Sequence, residues 1–231
     1  MKKLTQEQIN KILENHRHWL NEDCENWKTM KADFSCCDLR NANLNGTDLR
    51  FAVLIGTDLR NANLIGTILR NANLNGTILR NAVLIGTDLR NANLNGTDLN
   101  GTDLRNANLS GTNLNEAKEV PYMPMVCPEE GDFIGWKKAS RKIVKLRIPE
   151  DALRSSATSR KCRCNKAEVI DIYNIDGTIA DERTVSSDYD PSFTYEVGKT
   201  VEVQYFDTNR WEECTRGIHF FISRQEAINY Y

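Results

Sequence analysis

Hydrophobic positions in the middle of the chain recur every five residues. Leucine stands at 39, 44, 49 and every fifth position to 114, sixteen in unbroken register, and Phe34 holds the same phase one step earlier. Two places before each leucine is a small residue, from Cys37, Ala42, Thr47 and Ala52 to Thr112. On an α-helix, residues five apart drift about 140° around the axis, so the leucines would cover every face. On a continuous strand an odd spacing would send alternate leucines into water. A turn must therefore reset direction within each pentad. Two places after each leucine, Asn and Gly alternate (Asn41, Gly46, Gly56, Asn61, Gly66), with Phe51 at one such corner. Asn and Gly tolerate the positive φ that tight turns demand. Each pentad reads as a short extended edge and a corner, with the leucine and the small residue facing inward.

A chain that turns after every short edge winds into stacked coils about 4.8 Å apart, each burying its face against its neighbours. The pattern resembles the pentapeptide-repeat family, with its A-(D/N)-L-x-x consensus, as in Ala42-Asn43-Leu44-Asn45-Gly46. The resemblance implies a right-handed quadrilateral β-helix with four pentads per coil, hence about four coils and roughly 20 Å of length. Burial of the leucines contributes about 2 kcal/mol each, about 30 kcal/mol at most. With four pentads per coil, Arg40, Arg60 and Arg80 stack in one column and Arg50, Arg70 and Arg90 in the opposite one. Asp38, Asp58, Asp48 and Asp88 are placed to screen them. Two threonine pentads follow each other at Thr97–Gly101 and Thr102–Asn106, which rotates the outer chemistry of the last coil by one face.

The flanks read differently. Residues 5–21 form an amphipathic helix: Thr5 and Gln8 make a capping box, Leu4 and Ile9 a hydrophobic staple, and Ile9, Ile12, Leu13, His16, Trp19 and Leu20 share a face. It is placed to plug the open first coil, with Trp19 or Trp27 as lid. Its lead-in, Leu4–Gln8 followed by His18-Trp19-Leu20, resembles N-termini of some phage and bacterial members. Prolines 121, 124 and 128 mark a connector that crosses the far end, covering it with Tyr122, Met123 and Met125. Beyond it, Val144, Leu146 and Ile148 alternate with Lys145 and Arg147 as a half-buried strand. Glu168–Tyr173 is a second strand, turned by Asp176-Gly177. Tyr195–Val203, with Gly198 at its middle, reads as another hairpin. Gly217–Ile222 is a buried strand, and Ser223 and Glu226 cap a last short helix. The expected fold is mainly β: residues 1–31 a helical cap, 32–117 the β-helix, 118–132 the connector and 133–231 an α+β domain. Arg154–Arg163 with Gly217–Phe220 resembles an uncharacterised domain found after pentapeptide repeats, and this brings no known activity.

Composition narrows the function. The net charge of −2 is nearly neutral, the basic stretch near Trp136 lacks the interleaved aromatics that nucleic acid would want, and no run spans a membrane. The opening residues lack the apolar core of a signal peptide. Seven cysteines, an odd count, are expected as free thiols in a reducing cytoplasm. Residues 137–166 hold eleven Lys or Arg and two acidic residues, whereas 167–214 hold twelve acidic and three basic. The two halves are expected to pair. An anion site is the functional alternative, formed by Arg154, Arg160 and Lys161 around the hydroxyls of Ser155, Ser156, Thr158 and Ser159. No cofactor is implied. His16 and His18 fall on different helix faces, and Cys162, Cys164, Cys214 and His219 lack the usual zinc spacing, so no metal site is expected.

Walker, G-x-S-x-G and H-E-x-x-H motifs do not occur in the sequence. The leading expectation is a non-catalytic scaffold for a protein partner or for self-association into a homo-oligomer. Its candidate contact patch is Ile65, Val83 and Ile85, three apolar residues stacked on one outer face. Two alternatives remain. Some pentapeptide-repeat proteins mimic DNA, engage type II topoisomerases and protect them from quinolones, but such mimicry needs a dense negative surface. Residues 33–117 hold eight acidic residues against seven arginines. The other alternative is an enzyme acting on a phosphorylated substrate through Arg154, Arg160 and His219.

Overall fold

The computed structural model describes residues 1–230, which divide into two compact units, Met1–Met123 and Pro124 onward. The first unit begins with β1 (Lys2–Lys3) and α1 (Gln6–Asn21) and continues into the repeat, which opens on β2 (Cys37–Asp38). Parallel bridges join one residue of each pentad to the one twenty further on, as in Asp38↔Asp58, Asn43↔Asn63 and Asp58↔Ile78. One coil is therefore twenty residues, or four pentads. The bonding repeats from coil to coil. Leu44 N–H donates to Asn63 C=O at 2.8 Å, and Asn63 N–H returns to Ala42 C=O at 2.9 Å. Leucines 39 to 109 are buried, whereas Leu114 on the last turn is only half-buried.

The corner positions have positive φ throughout: Asn41 at 59°, Gly46 at 65°, and even Phe51 at 63°. At Gly101 and Gly111 the glycine has a second reason. A Cβ there would stand 2.3 and 2.2 Å from Oδ1 of Asn81 and Asn91 in the coil below. The inward threonines are also satisfied: Thr67 Oγ1 donates to Leu44 C=O and Thr87 Oγ1 to Leu64 C=O, both at 2.8 Å. A hydroxyl can face the dry interior because a carbonyl of the previous coil accepts it.

The residues before the repeat bond to the backbone of its first coil. Thr5 and Gln8 form the expected capping box on α1. The Gln6 carboxamide accepts from Asn43 N–H and donates to Asn43 C=O, both at 3.0 Å. Leu4 N–H donates to Asp38 C=O, and β1 pairs in parallel with β2. His16, fully buried, accepts from Ala32 N–H on Nδ1 and bonds Arg50 C=O through Nε2, each at 3.1 Å. Nδ1 is thus the acceptor, so Nε2 carries the proton and the ring is neutral. Burial lowers its pKa in the same sense. Trp19 stacks on His16 and meets Phe51 edge-on.

The second unit is α+β. The strands β3 (Phe133–Ala139), β4 (Lys142–Ile148), β7 (Lys166–Tyr173) and β10 (Thr200–Glu202) form an antiparallel sheet in the order β10-β7-β4-β3. The strands β5 (Arg154–Ser156), β6 (Cys162–Cys164) and β11 (Ile218–Phe220) form a second sheet in the order β11-β6-β5. β8 (Thr184–Ser186) pairs with β9 (Thr194–Glu196), and α2 (Arg224–Asn229) carries the expected Ser223/Glu226 capping box. Val144, Leu146, Ile148, Val169, Ile172 and Phe220 lead its core. Gly135 lets β3 lie on Phe220, whose ring would be 2.7 Å from a Cβ.

One expectation needs correction here. Tyr195–Val203 is not a hairpin: β9 pairs with β8, whereas β10 pairs with β7, so the turn at Gly198 carries the chain from one partner to another. Met125 belongs to the second unit. It packs with Val126 against the core of the second unit, and Val126 N–H donates to Ser156 Oγ at 2.7 Å. Tyr122 is exposed. Among the described residues, no helix is long and apolar enough to cross a membrane.

Candidate functional site

The outer faces of the tower follow from its twenty-residue period. Arg40, Arg60 and Arg80 share a column, as do Arg50, Arg70 and Arg90, and aspartates neutralise them as expected. Arg60 forks onto Asp58 with Nε–Oδ1 at 2.9 Å and Nη2–Oδ2 at 2.6 Å, and Arg40 and Asp38, Arg90 and Asp88 do likewise. Where isoleucine replaces the aspartate, the arginine turns to the next coil. Arg80, beside Ile78, bonds Asp98 at 2.7 Å, and Arg70, beside Ile68, lies 4.0 Å from Asp88. These guanidinium bonds hold the Asp58 and Asp88 carboxyls below their usual range.

The face carrying Asn43, Asn63, Val83 and Asp103 breaks the polar pattern. Leu64 N–H donates to Val83 C=O at 2.8 Å and Gly66 N–H to Ile85 C=O at 2.9 Å, so Ile65 and Ile85 stand one coil apart with Val83 beside them. The structure therefore brings Ile65, Val83 and Ile85 together. Ile65 is exposed, and the other two are half-buried. Below them lies Asn43, held by Gln6; above them is the Arg105–Asp103 fork, at 2.7 Å. The pentad slip at residues 97–106 sets that upper limit, because it lays a charged pair over an apolar one.

The anion set does not assemble. Arg154 donates to the carbonyls of Ala152, Pro128, Gly131, Pro149 and Glu150, which occupies its guanidinium. Ser155 and Ser156 are buried, and Ser156 accepts from Val126. Arg160 bonds Glu226 at 2.6 Å, and Ser159 N–H donates to Glu213 at 3.0 Å, which places two carboxylates among the supposed anion ligands. Lys161 Nζ lies over Tyr230 and 3.6 Å from Cys214 Sγ; Thr158 is half-buried. The basic and acidic halves do pair, as Lys142–Glu182 and Arg147–Glu168 illustrate.

His219 bonds Glu213 C=O at 3.0 Å, and burial lowers its pKa to about 3. Cys164 turns to Ile218 C=O, so Cys162, Cys164, Cys214 and His219 do not converge. Sequence reasoning missed Arg163. It is fully buried and donates to the carbonyls of Asp207, Arg216 and Asn209. Its position between Cys162 and Cys164 on a buried strand was the available signal. An open groove on the second unit is lined by Leu153, Asn165, Glu202, Val203, Tyr205 and Phe206.

The pentapeptide-repeats family matches in eight copies over residues 32–71, 57–96, 68–106 and 84–118, so residues 32–118 are a pentapeptide-repeat region. Residues 123–227 match a family of unknown function, DUF5758. The uncharacterised protein L223 of Acanthamoeba polyphaga mimivirus is 41% identical over 96 residues, covering 38% of this chain and 61% of that protein. HetL from the cyanobacterium Nostoc sp. strain PCC 7120, involved in heterocyst differentiation regulation, is 36% identical. The match covers 38% of this chain and 42% of HetL, with a TM-score of 0.37. The pentapeptide-repeat protein alr5209 from Nostoc is 27% identical over 47% of this chain and 86% of its own, with a TM-score of 0.38. The chain thus spans 61% of its curated relative and under half of HetL.

Proposed function

We propose that this protein is a non-catalytic interaction scaffold whose tower presents Ile65, Val83 and Ile85 to a protein partner in the cytoplasm. The observation that carries this reading is the apolar patch itself, fenced by Asn43 below and Arg105 above and flanked by the two ion-paired arginine columns. Three aliphatic residues are too few for a whole interface of about 800 Å² per partner, but they suit its dry centre. The tower is read as a right-handed four-sided β-helix, with α1 plugging its first coil. The side-chain bonds from Gln6 and His16 to that coil support the plug. A rigid tower loses little entropy on binding, which favours this use.

Topoisomerase mimicry is less well supported, because each aspartate column is neutralised by its arginines. The test is capture of a partner by the purified full chain, followed by Ile85→Asp. Loss of the partner with an unchanged circular dichroism spectrum and melting profile is expected. Retention would sink the proposal. If the captured partner is a second copy of the chain, sedimentation will show a dimer that Ile85→Asp returns to monomer.

A further inference from the structure

Three metal-binding side-chain types meet where α1 ends. Glu22 caps the helix at φ 54°, which turns the chain back along its last turn. Asp23 Oδ1 then lies 2.6 Å from His18 Nδ1. Cys24 joins them, so that one donor atom from each of His18, Asp23 and Cys24 lies within 4.8 Å of the other two. Cys24 is half-buried, and its thiol donates to Met30 Sδ at 3.6 Å. The short turn Trp27–Thr29 brings Met30 back to that position. Asn21 Nδ2 lies 3.4 Å and Arg17 Nη1 4.0 Å from Asp23 Oδ2. The helix uses other residues, Ile9 and His16, for its buried side.

We infer that His18, Asp23 and Cys24 form a binding site for a zinc-type divalent ion. Bonds of about 2.0–2.3 Å in a tetrahedral shell set ligand atoms about 3.3–3.8 Å apart. The donors here are within about 1 Å of that spacing, and side-chain rotation at the exposed Asp23 and half-exposed His18 closes the difference. A neutral imidazole, a carboxylate and a thiolate carry two negative charges, which balance a dication. The nitrogen, oxygen and sulfur mixture disfavours magnesium and calcium, which take oxygen ligands. Three protein donors leave one position open for water. A helix-end ion pair accounts for the His18–Asp23 contact alone; it gives no reason for a thiol at the same point. Metal binding would clamp residues 22–30 to the end of α1, just before Ala32, whose N–H is held by His16.

The test uses the reduced full-length chain, with zinc competed against a chromophoric chelator and cobalt(II) as a spectroscopic stand-in. Wild type is expected to bind one ion and to show a thiolate-to-cobalt charge-transfer band. Cys24→Ser should abolish the band, and His18→Gln should weaken binding at least about tenfold. His18 is on the last turn of α1 and Cys24 just beyond it, and neither is fully buried, so circular dichroism of the variants should be unchanged. Cys36→Ser and Cys214→Ser, at exposed thiols that are not members of the cluster, should leave binding intact. The assignment fails if no ion binds, if the band survives Cys24→Ser, if it is lost with Cys36→Ser or Cys214→Ser, or if only copper(I) binds.

Discussion

The tower and the second unit solve the same problem in opposite ways. Both must satisfy buried backbone groups. The tower does so by repetition: each coil offers the next the same amides and carbonyls, and each threonine hydroxyl finds the same carbonyl below it. The second unit has short strands and long connections, so its loop carbonyls lack partners in a ladder. Single arginines gather them instead: Arg163 takes carbonyls of three residues and Arg154 those of five. Stability spread over equivalent layers tolerates local change; stability hung on one guanidinium does not.

The sharpest way to break the comparison is Arg163→Met. It removes a fully buried guanidinium from the loop carbonyls of Asp207, Asn209 and Arg216 and is expected to cost about 3–5 kcal/mol. A denaturant melt followed by probes in each unit should show the second unit's transition moving alone. Next comes Leu74→Ala in the middle of the tower, at about 3 kcal/mol, against about 1 kcal/mol for Leu114→Ala, where the side chain is already half-exposed. Equal costs at the two sites would show that burial depth along the tower is not what matters.

The pH response ranks third. His219 has its pKa lowered to about 3 by burial, so the unfolded state binds the extra proton first. Its contribution is complete above the unfolded value of about 6.5 and declines as the pH falls toward the folded one, by at most about 1.4 kcal/mol per pH unit. Melts of the second unit between pH 6.5 and 4.5 should show this slope, and His219→Gln should flatten it. His16 works in the same direction in the first unit. The smallest effect separates two glycines. Gly76→Ala meets only the left-handed φ, about 1 kcal/mol, whereas Gly111→Ala also meets Asn91 and should cost about 1 kcal/mol more.

The same contrast explains what could be read from the chain. The tower's inward leucines, its corners and its Asp–Arg pairs are local and periodic, so a few pentads reveal them. The Gln6–Asn43 bond spans 37 residues and the His16–Arg50 bond 34, and neither position stands out in a pattern. The β3–β4 hairpin turns through Ser140-Arg141, both at positive φ, without the Asn-Gly signal that such turns favour. Arg154 looked available for an anion because its basic neighbours are contiguous in sequence, yet folding commits it to carbonyls. The candidate patch was legible because Ile65 and Ile85 are twenty residues apart, one coil, with Val83 beside them, where most outward positions are polar. The His18, Asp23 and Cys24 cluster was not, because it depends on the chain reversing at Glu22.

Binding measured for paired variants tests the scaffold most directly. Ile85→Asp changes the fenced patch, and Ile55→Asp changes an exposed isoleucine on the opposite, asparagine-rich side of the tower. Affinity for the captured partner should fall at least about tenfold in the first and stay within about twofold in the second. Equal losses, or a loss only with Ile55→Asp, would contradict the assignment of the binding face.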